Sequence, residues 1–285
     1  MIESFVLMPN TTTVPYPLTD LPLARRLERT EAMANVAFVE ARAQVEPDLG
    51  AMWIEVAGVH AMFDGRQSPL TQTFGLGLFD TVGDAELAEL EAFFHDRQAP
   101  VFHEVSPLIP PDLLTRLGAR GYQPAELSTV LIRPTSVVLD STPNSIAVRR
   151  AGIDEVDLWS KVSGQGWSSE SPELAAMIEG FGQVIGRARG THCFLAERDG
   201  SPIAAAALSL NGDVALLAGA STIPASRKQG AQLALLNARL QFAAERGAQL
   251  AMMVALPGSG SQRNAERQGF RTCYTRTKWQ LKRDA

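Results

Sequence analysis

The sequence predicts a mixed α+β protein whose sheet combines antiparallel and parallel pairs and which is present as two tandem copies. Three observations lead there. An apolar meander turns at Asp199-Gly200 and again at Asn211-Gly212-Asp213. A segment of helical period then joins two apolar strands, which requires them to run parallel. Finally, the order of elements in the second half recurs in the first at an offset of 148 residues, which sets Gly121-Tyr122 against Gly269-Phe270.

Taken in order, the first half offers a helix over Leu23 to Gln44, strands "MWIEVAGVHAMF" and "TQTFGLGLF", a helix opening at "FDTVGDAELAEL" and a strand "VFHEV". The repeat offset sets Leu87 on Leu235 and Phe94 on Phe242, and it brings "VFHEV" onto "LAMMV". Asp80 and Asp84 fall at the start of the first half's helix, where two carboxylates suit capping. The stretch "RPTSVVLDSTPNS" collects residues that punctuate structure, so 135–145 reads as a linker between domains over 1–134 and 146–285. A length of 285 residues, at ~100–200 per domain, also fits two.

The second half opens with a short strand, Ile146 to Arg149, and then a helix with Asp154 as N-cap and Val156, Leu158, Trp159 and Val162 along it. The strands "HCFLAERDG", "SPIAAAALSLNGD" and "VALLAGAST" make the meander. From Ala231 to Arg246 the apolar residues Leu233, Leu236, Leu240, Ala243 and Ala244 recur at helical spacing, Gly247 supplies a C-cap, and a buried strand "LAMMVAL" follows.

Composition narrows the function. With 45% hydrophobic and 20% charged residues the chain is an ordinary globular protein, and a net charge of −5 argues against a nucleic-acid partner gripped through its phosphates. No run of eighteen apolar residues points to a membrane, and "MIESFVLMPN" has no basic region before an apolar core, so a cytoplasmic protein is expected. Cys193 and Cys273, far apart, read as reduced thiols. His60, His95, His103 and His192 show no metal-ligand spacing, and no metal is expected.

The most informative stretch is "TIPASRKQGAQLALL", which places Arg227, Lys228 and Gly230 against the first turn of a helix. Free N–H groups and the helix dipole favour an anion there, glycine permits close approach, and bases at this end oppose the dipole. A solvated basic helix start and a pyrophosphate site both fit. The stretch contains neither a Walker A loop nor a GxGxxG fingerprint, and no Walker lysine or magnesium-binding acid supports an ATP site.

This stretch resembles the acyl-CoA loop of the GNAT superfamily of N-acetyltransferases, [Q/R]xxGx[G/A] after a proline, here Arg227, Lys228, Gln229, Gly230, Ala231 and Gln232. Gln232 departs from the pattern without removing a backbone donor. "SGSQRNAERQGF" is similar to the family's last helix and the Gly-Phe that precedes a final hairpin. The resemblance implies an acyl-CoA N-acyltransferase fold in two copies, with acetyl-CoA as co-substrate and an amine, small molecule or protein, as acceptor. It implies that Ala220, Ser221 and Thr222 bond the pantetheine arm on a strand that splays from its parallel neighbour, and that the amides from Lys228 to Leu233 cradle the pyrophosphate. Asn264 would add a bond to that arm or to the acyl group, or is a surface asparagine. Trp167, in "SGQGWSSESPE", would line an acceptor pocket, or is a lid on the core. Where many members carry a glutamate base and a tyrosine acid, this chain has Leu216 and Ala265, so catalytic residues stay unassigned and an acyl-CoA sensor without turnover is the rival. Asp80 and Asp84 would repel a pyrophosphate, which makes the first copy a degenerate, structural one.

Overall fold

The computed structural model describes residues 15–136 and 145–282. The first half contains α1 (Leu21–Val45), β1 (Met52–Val56), β2 (Val59–Phe63), β3 (Gln72–Phe74), α2 (Asp84–His95), β4 (Phe102–Val105), α3 (Pro111–Ala119) and β5 (Tyr122–Pro134). The second contains β6 (Ala147–Arg150), α4 (Val156–Gln165), α5 (Pro172–Ile185), β7 (Thr191–Arg198), β8 (Ser201–Asn211), β9 (Val214–Thr222), α6 (Ala231–Glu245), β10 (Leu250–Ala255), α7 (Gly260–Arg267) and β11 (Arg271–Leu281). Residues 137–144 of the expected linker lie outside the described residues.

All described strands join one 11-stranded sheet in the order β1-β2-β3-β4-β11-β5-β10-β9-β8-β7-β6. The halves therefore exchange their last strands. β11 pairs with β4 of the first half, and β5 pairs with β10 of the second, while β5 and β11 also pair with each other. Arg276 stands opposite Ser128 in that central pair, and the two are 148 residues apart, the repeat offset itself. A local two-fold thus passes between β5 and β11, and the fold is a mixed α+β sheet in two tandem copies.

Several expectations change in detail. "MWIEVAGVHAMF" is a hairpin, because Ala57 and Gly58 both take positive φ (49° and 73°) and form a two-residue turn between β1 and β2. "TQTFGLGLF" stays extended only over Gln72–Phe74. Asp154 does not cap α4: a 3₁₀ turn over Ile153–Glu155 comes first, and Glu155 accepts from the Gly152 N–H instead. Leu158 is exposed, since α4 buries Val156, Trp159 and Val162 against the sheet. The final hairpin is absent among the described residues: β11 runs unbroken as one strand because β4 and β5 already flank it.

α1 ties the halves together. Asp20 caps it, and it packs on β2 and β3 as well as on β8, β9 and α5. Its Glu28 and Glu31 receive Arg276 of β11, which is 2% exposed, at 2.8 to 3.0 Å, and Glu104 of β4 lies 3.0 Å from the same guanidinium. Tyr274 donates its hydroxyl to Glu28. Three carboxylates surround this one arginine, with Lys278 3.5 Å from Glu104 as a second cation at the edge of the cluster. Burial, reinforced by Glu31 and Glu104, raises the Glu28 carboxyl from 4.5 to about 7 against the pull of Arg276.

Two outcomes follow from this arrangement. Folded Glu28 holds a proton between pH 4.5 and about 7 that the unfolded chain has released, so its contribution to stability is largest below this window and falls as pH rises through it. Urea unfolding of the wild type and Glu28→Gln on both sides of the window checks this: the wild type loses stability relative to the variant as pH rises. Residues 146–285 expressed alone leave β10 and β11 without β5 and β4, so size-exclusion chromatography is expected to find dimers or aggregates; a native-like monomer contradicts the exchange.

Candidate functional site

β9 begins paired with both neighbours. It is parallel to β10 from Val214↔Leu250 to Leu216↔Met252, and there that pairing stops, although β10 continues to Ala255 and β9 to Thr222. The two strands diverge and leave one edge of β9 open, as the expected splay requires. On the other side β9 stays on β8, with an irregularity: Ala207 faces Ala218 and Ala205 faces Ser221, so β9 carries one extra residue. Gly219 absorbs it with φ +60°, which makes this a bulge that turns the strand where it leaves β10. Ala218, Gly219 and Ala220 are exposed, and Ser221 and Thr222 are buried again.

After a short 3₁₀ turn over Pro224–Ser226 the chain reverses through Lys228 (φ +61°) and Gly230 (φ +90°) into α6. The first helical bond runs from the Ala234 N–H to the Gly230 carbonyl, so the N–H groups of Ala231, Gln232 and Leu233 precede it. No side chain caps them and no acid lies in the first turn. Left-handed residues directly before a helix start aim backbone donors at a common point, the arrangement that receives anions. Gln232, the departure from the expected pattern, donates to the Thr222 hydroxyl at 2.7 Å and so ties the helix start to the strand end. Gln229 reaches the Ala225 carbonyl.

Arg227 has a second task. Its guanidinium donates to the Gly166 carbonyl (2.7 Å) and the Thr222 carbonyl (3.4 Å), joining the loop to the end of α4. The Ser221 hydroxyl donates to the Ser163 carbonyl at 2.9 Å across the same junction. Gly166 is required by space: a Cβ there would lie 2.4 Å from the Ser221 Cβ and 2.5 Å from its Oγ. Trp167 follows immediately, half-buried on a turn whose backbone bonds Gly164 and Glu170. The fully buried tryptophan of this half is Trp159, whose Nε1 serves the Phe194 and Ala206 carbonyls. The structure therefore brings Ala220, Ser221, Thr222, the loop from Arg227 to Leu233 and the backbone before Trp167 to one place. Asn264 is exposed on α7 and accepts weakly from Arg267 (3.4 Å).

Leu216 and Ala265 are buried apolar residues, so neither position titrates. Sequence reasoning overlooked Gly219, Gly166 and Arg239. A glycine inside an apolar strand and a lone arginine within "LALLNARLQFAA" were the available signals. Arg239 is buried on α6, where burial pulls its guanidinium down to about 10.

The corresponding strands of the first half meet in a different register. β3 meets β4 at Thr73↔His103 alone, and His103 sits between the Thr73 hydroxyl (2.7 Å) and the Tyr122 hydroxyl (2.8 Å). Burial lowers His103 to about 3, so it is neutral. The loop that follows β3 buries Leu76, Leu78 and Val82 in the first core. Glu86, not Asp80 or Asp84, accepts from the N-cap Gly83 N–H; Asp84 pairs with Arg116 and Arg120, while Asp80 is exposed. Among the described residues no helix is long and apolar enough to cross a membrane, and no three His, Cys, Asp or Glu side chains gather as a metal site.

Comparison with known proteins agrees with this geometry. Residues 155–270 match the model of the acetyltransferase (GNAT) family. A GCN5-related N-acetyltransferase from Kribbella flavida is similar over 87% of this chain and 96% of its own (TM-score 0.61, 19% identity). A tandem GNAT protein from the clavulanic acid biosynthesis pathway is similar over 80% of this chain and 79% of its own (TM-score 0.56, 13% identity). A GCN5-related N-acetyltransferase from Sphaerobacter thermophilus covers 93% and 95% (TM-score 0.52, 14% identity). No curated protein matches.

The junction between α4 and β9 can be tested without a ligand. Gly166→Ala is expected to cost about 1–3 kcal/mol through overpacking, read by denaturant unfolding, and Ser221→Gly in the same chain to recover part of it by removing the atoms the new Cβ meets.

Proposed function

Because residues 155–270 carry a domain of the acetyltransferase (GNAT) family, we propose that the chain is an acyl-CoA-dependent N-acetyltransferase with one active site in the second half. The observation that carries this reading is the open edge of β9 beyond Leu216, followed at once by the Lys228–Gly230 reversal and the uncapped start of α6. On this reading the amides of Lys228 to Leu233 hold the pyrophosphate, with Lys228 as local charge, and Ala220, Ser221 and Thr222 take the pantetheine arm in place of the missing strand partner. Arg227 contributes charge while it fixes the loop to Gly166.

Catalysis is then chiefly positioning. A primary amine attacks the thioester carbonyl, the C–S bond breaks, the acetyl group passes directly to nitrogen, and coenzyme A leaves as thiolate while the amine proton passes to solvent. Backbone donors along β9 polarise the carbonyl, and held geometry supplies much of the rate. We propose that Trp167, beside the loop, lines the acceptor pocket, and that Asn264 reaches the pantetheine arm. We further propose that 1–134 is a degenerate copy joined through 135–145 to the cofactor-binding copy over 146–285. The bonds of His103 beside the β3–β4 pair support that assignment. Two free cysteines, one buried with its thiol pushed up to about 12, suit a cytoplasmic setting.

Calorimetry with acetyl-CoA tests the cofactor. Lys228 has φ +61°, a conformation glycine adopts freely, so Lys228→Gly removes the charge without backbone strain. It is expected to weaken binding a few-fold and Lys228→Glu by about tenfold or more, with both variants folded. Equal affinity in all three overturns the loop assignment. Thiol release with a panel of amines tests the transfer, and binding without release on any amine favours a sensor.

A further inference from the structure

Arg239 poses a problem in energetics. It is 4% exposed on the apolar face of α6, among Leu235, Leu236, Leu240 and Ala243, burial lowers its ionisation, and no carboxylate among the described residues forms an ion pair with it. Such a charge is costly unless its donors are well used. Its Nε donates to the Leu235 carbonyl at 3.2 Å, and its Nη1 donates to Ala207 (3.0 Å) and Ala218 (3.4 Å). Ala207 and Ala218 face each other across β8 and β9, and they are the last regular pair before the extra residue and the left-handed Gly219. A bulge disrupts the ladder at this point, and the planar guanidinium spans the two strands where the ladder breaks.

The first half provides a comparison within the same chain. At the offset of 148, the residue on α2 is Glu91, which cannot donate to a carbonyl; it accepts from Arg120 and from the Tyr122 hydroxyl. β3 pairs with β2 only from Gln72↔Met62 to Phe74↔His60. At the same offset Ala218 and Gly219 fall on Leu70 and Thr71, which precede the β2–β3 ladder, so among the described residues the first half has neither the arginine nor a paired strand at the place of the bulge.

We infer that Arg239 is a positioning residue: it holds the β9 bulge and thereby sets the direction of the open edge from Ala218 to Thr222. The inference rests on the acyl-CoA reading for its function, because that edge is where the pantetheine arm would lie. Arg239 itself need not touch the ligand.

The test uses the full chain as wild type, Arg239→Met and Arg239→Lys. Hydrogen exchange over residues 217–222 reports the bulge. Calorimetry compares acetyl-CoA with the nucleotide half of coenzyme A, which ends at the pyrophosphate and lacks the pantetheine arm. In Arg239→Met, exchange over 217–222 is expected to accelerate, and acetyl-CoA affinity to fall about tenfold or more while the nucleotide half stays within about twofold. Arg239→Lys, with the charge but not the fork, recovers part of both. Unchanged exchange, or equal losses for the two ligands, overturns the inference; should Arg239→Met not fold, wild-type exchange and wild-type affinities in Arg239→Lys overturn it. If the wild type binds neither ligand, the cofactor reading fails, and the exchange experiment still decides whether Arg239 holds the bulge.

Discussion

The exchange of β5 and β11 is the constraint on which the rest of the structure depends. Each half ends on a strand that belongs, by hydrogen bonding, to the other half's sheet. The consequence reaches the candidate site. β10 is held along its whole length, from Leu250↔Pro134 to Ala255↔Thr129, by a strand of the first half, whereas β9 beyond Leu216 is held by β8 of the second. The cleft opens between two strands anchored on opposite sides, so its width depends on both halves. Arg276 reinforces this from the centre of the sheet by joining β11 to α1 and β4 through a largely buried cluster of carboxylates.

The two halves differ at the strands that correspond to β9 and β10. In the second, a bulge, a left-handed loop and an uncapped helix leave backbone donors without partners near β9. In the first, His103 bonds Thr73 and Tyr122 beside the β3–β4 pair, and the loop after β3 turns Leu76 and Leu78 inward. A buried imidazole held neutral between two hydroxyls satisfies polar groups that would otherwise need a ligand or water.

Much of this was legible in the sequence, for physical reasons that differ by element. Glycine turns, the helical period after Ala231 and the crossover rule located the meander, α6 and the parallel pair. The offset of 148 held because both halves bury equivalent residues, such as Leu87 and Leu235 at 0% exposure. What stayed hidden depends on contacts distant in sequence. Nothing local distinguishes a β11 that folds back on β10 from one that crosses to β4. α5 also went unassigned, though Ser171 and Pro172 form an ordinary helix start, because apart from Val184 its apolar residues are only partly buried and its neighbours read as a loop. The bulge at Gly219 needed the register, and Arg239 needed the bulge.

α5 is also where α1 of the first half packs against a helix of the second. Phe181 of α5 meets Phe38 of α1 edge to face at 5.7 Å, Arg42 lies over both rings, and Val184 and Ala188 share a core with Val36 and Val39. On its other side α5 packs directly on α4, where a Cβ at Gly182 would lie 2.6 Å from the Ser160 Cβ. Such contact without intervening side chains transmits position, because neither backbone can shift independently. α4 then ends at Gly166, against Ser221 and under Arg227, immediately before Trp167. A continuous packed path therefore runs from α1 of the first copy through α5 and α4 to the turn that carries Trp167. On the proposed reading, the degenerate copy still shapes the acceptor pocket of the other, which explains why its core would be kept.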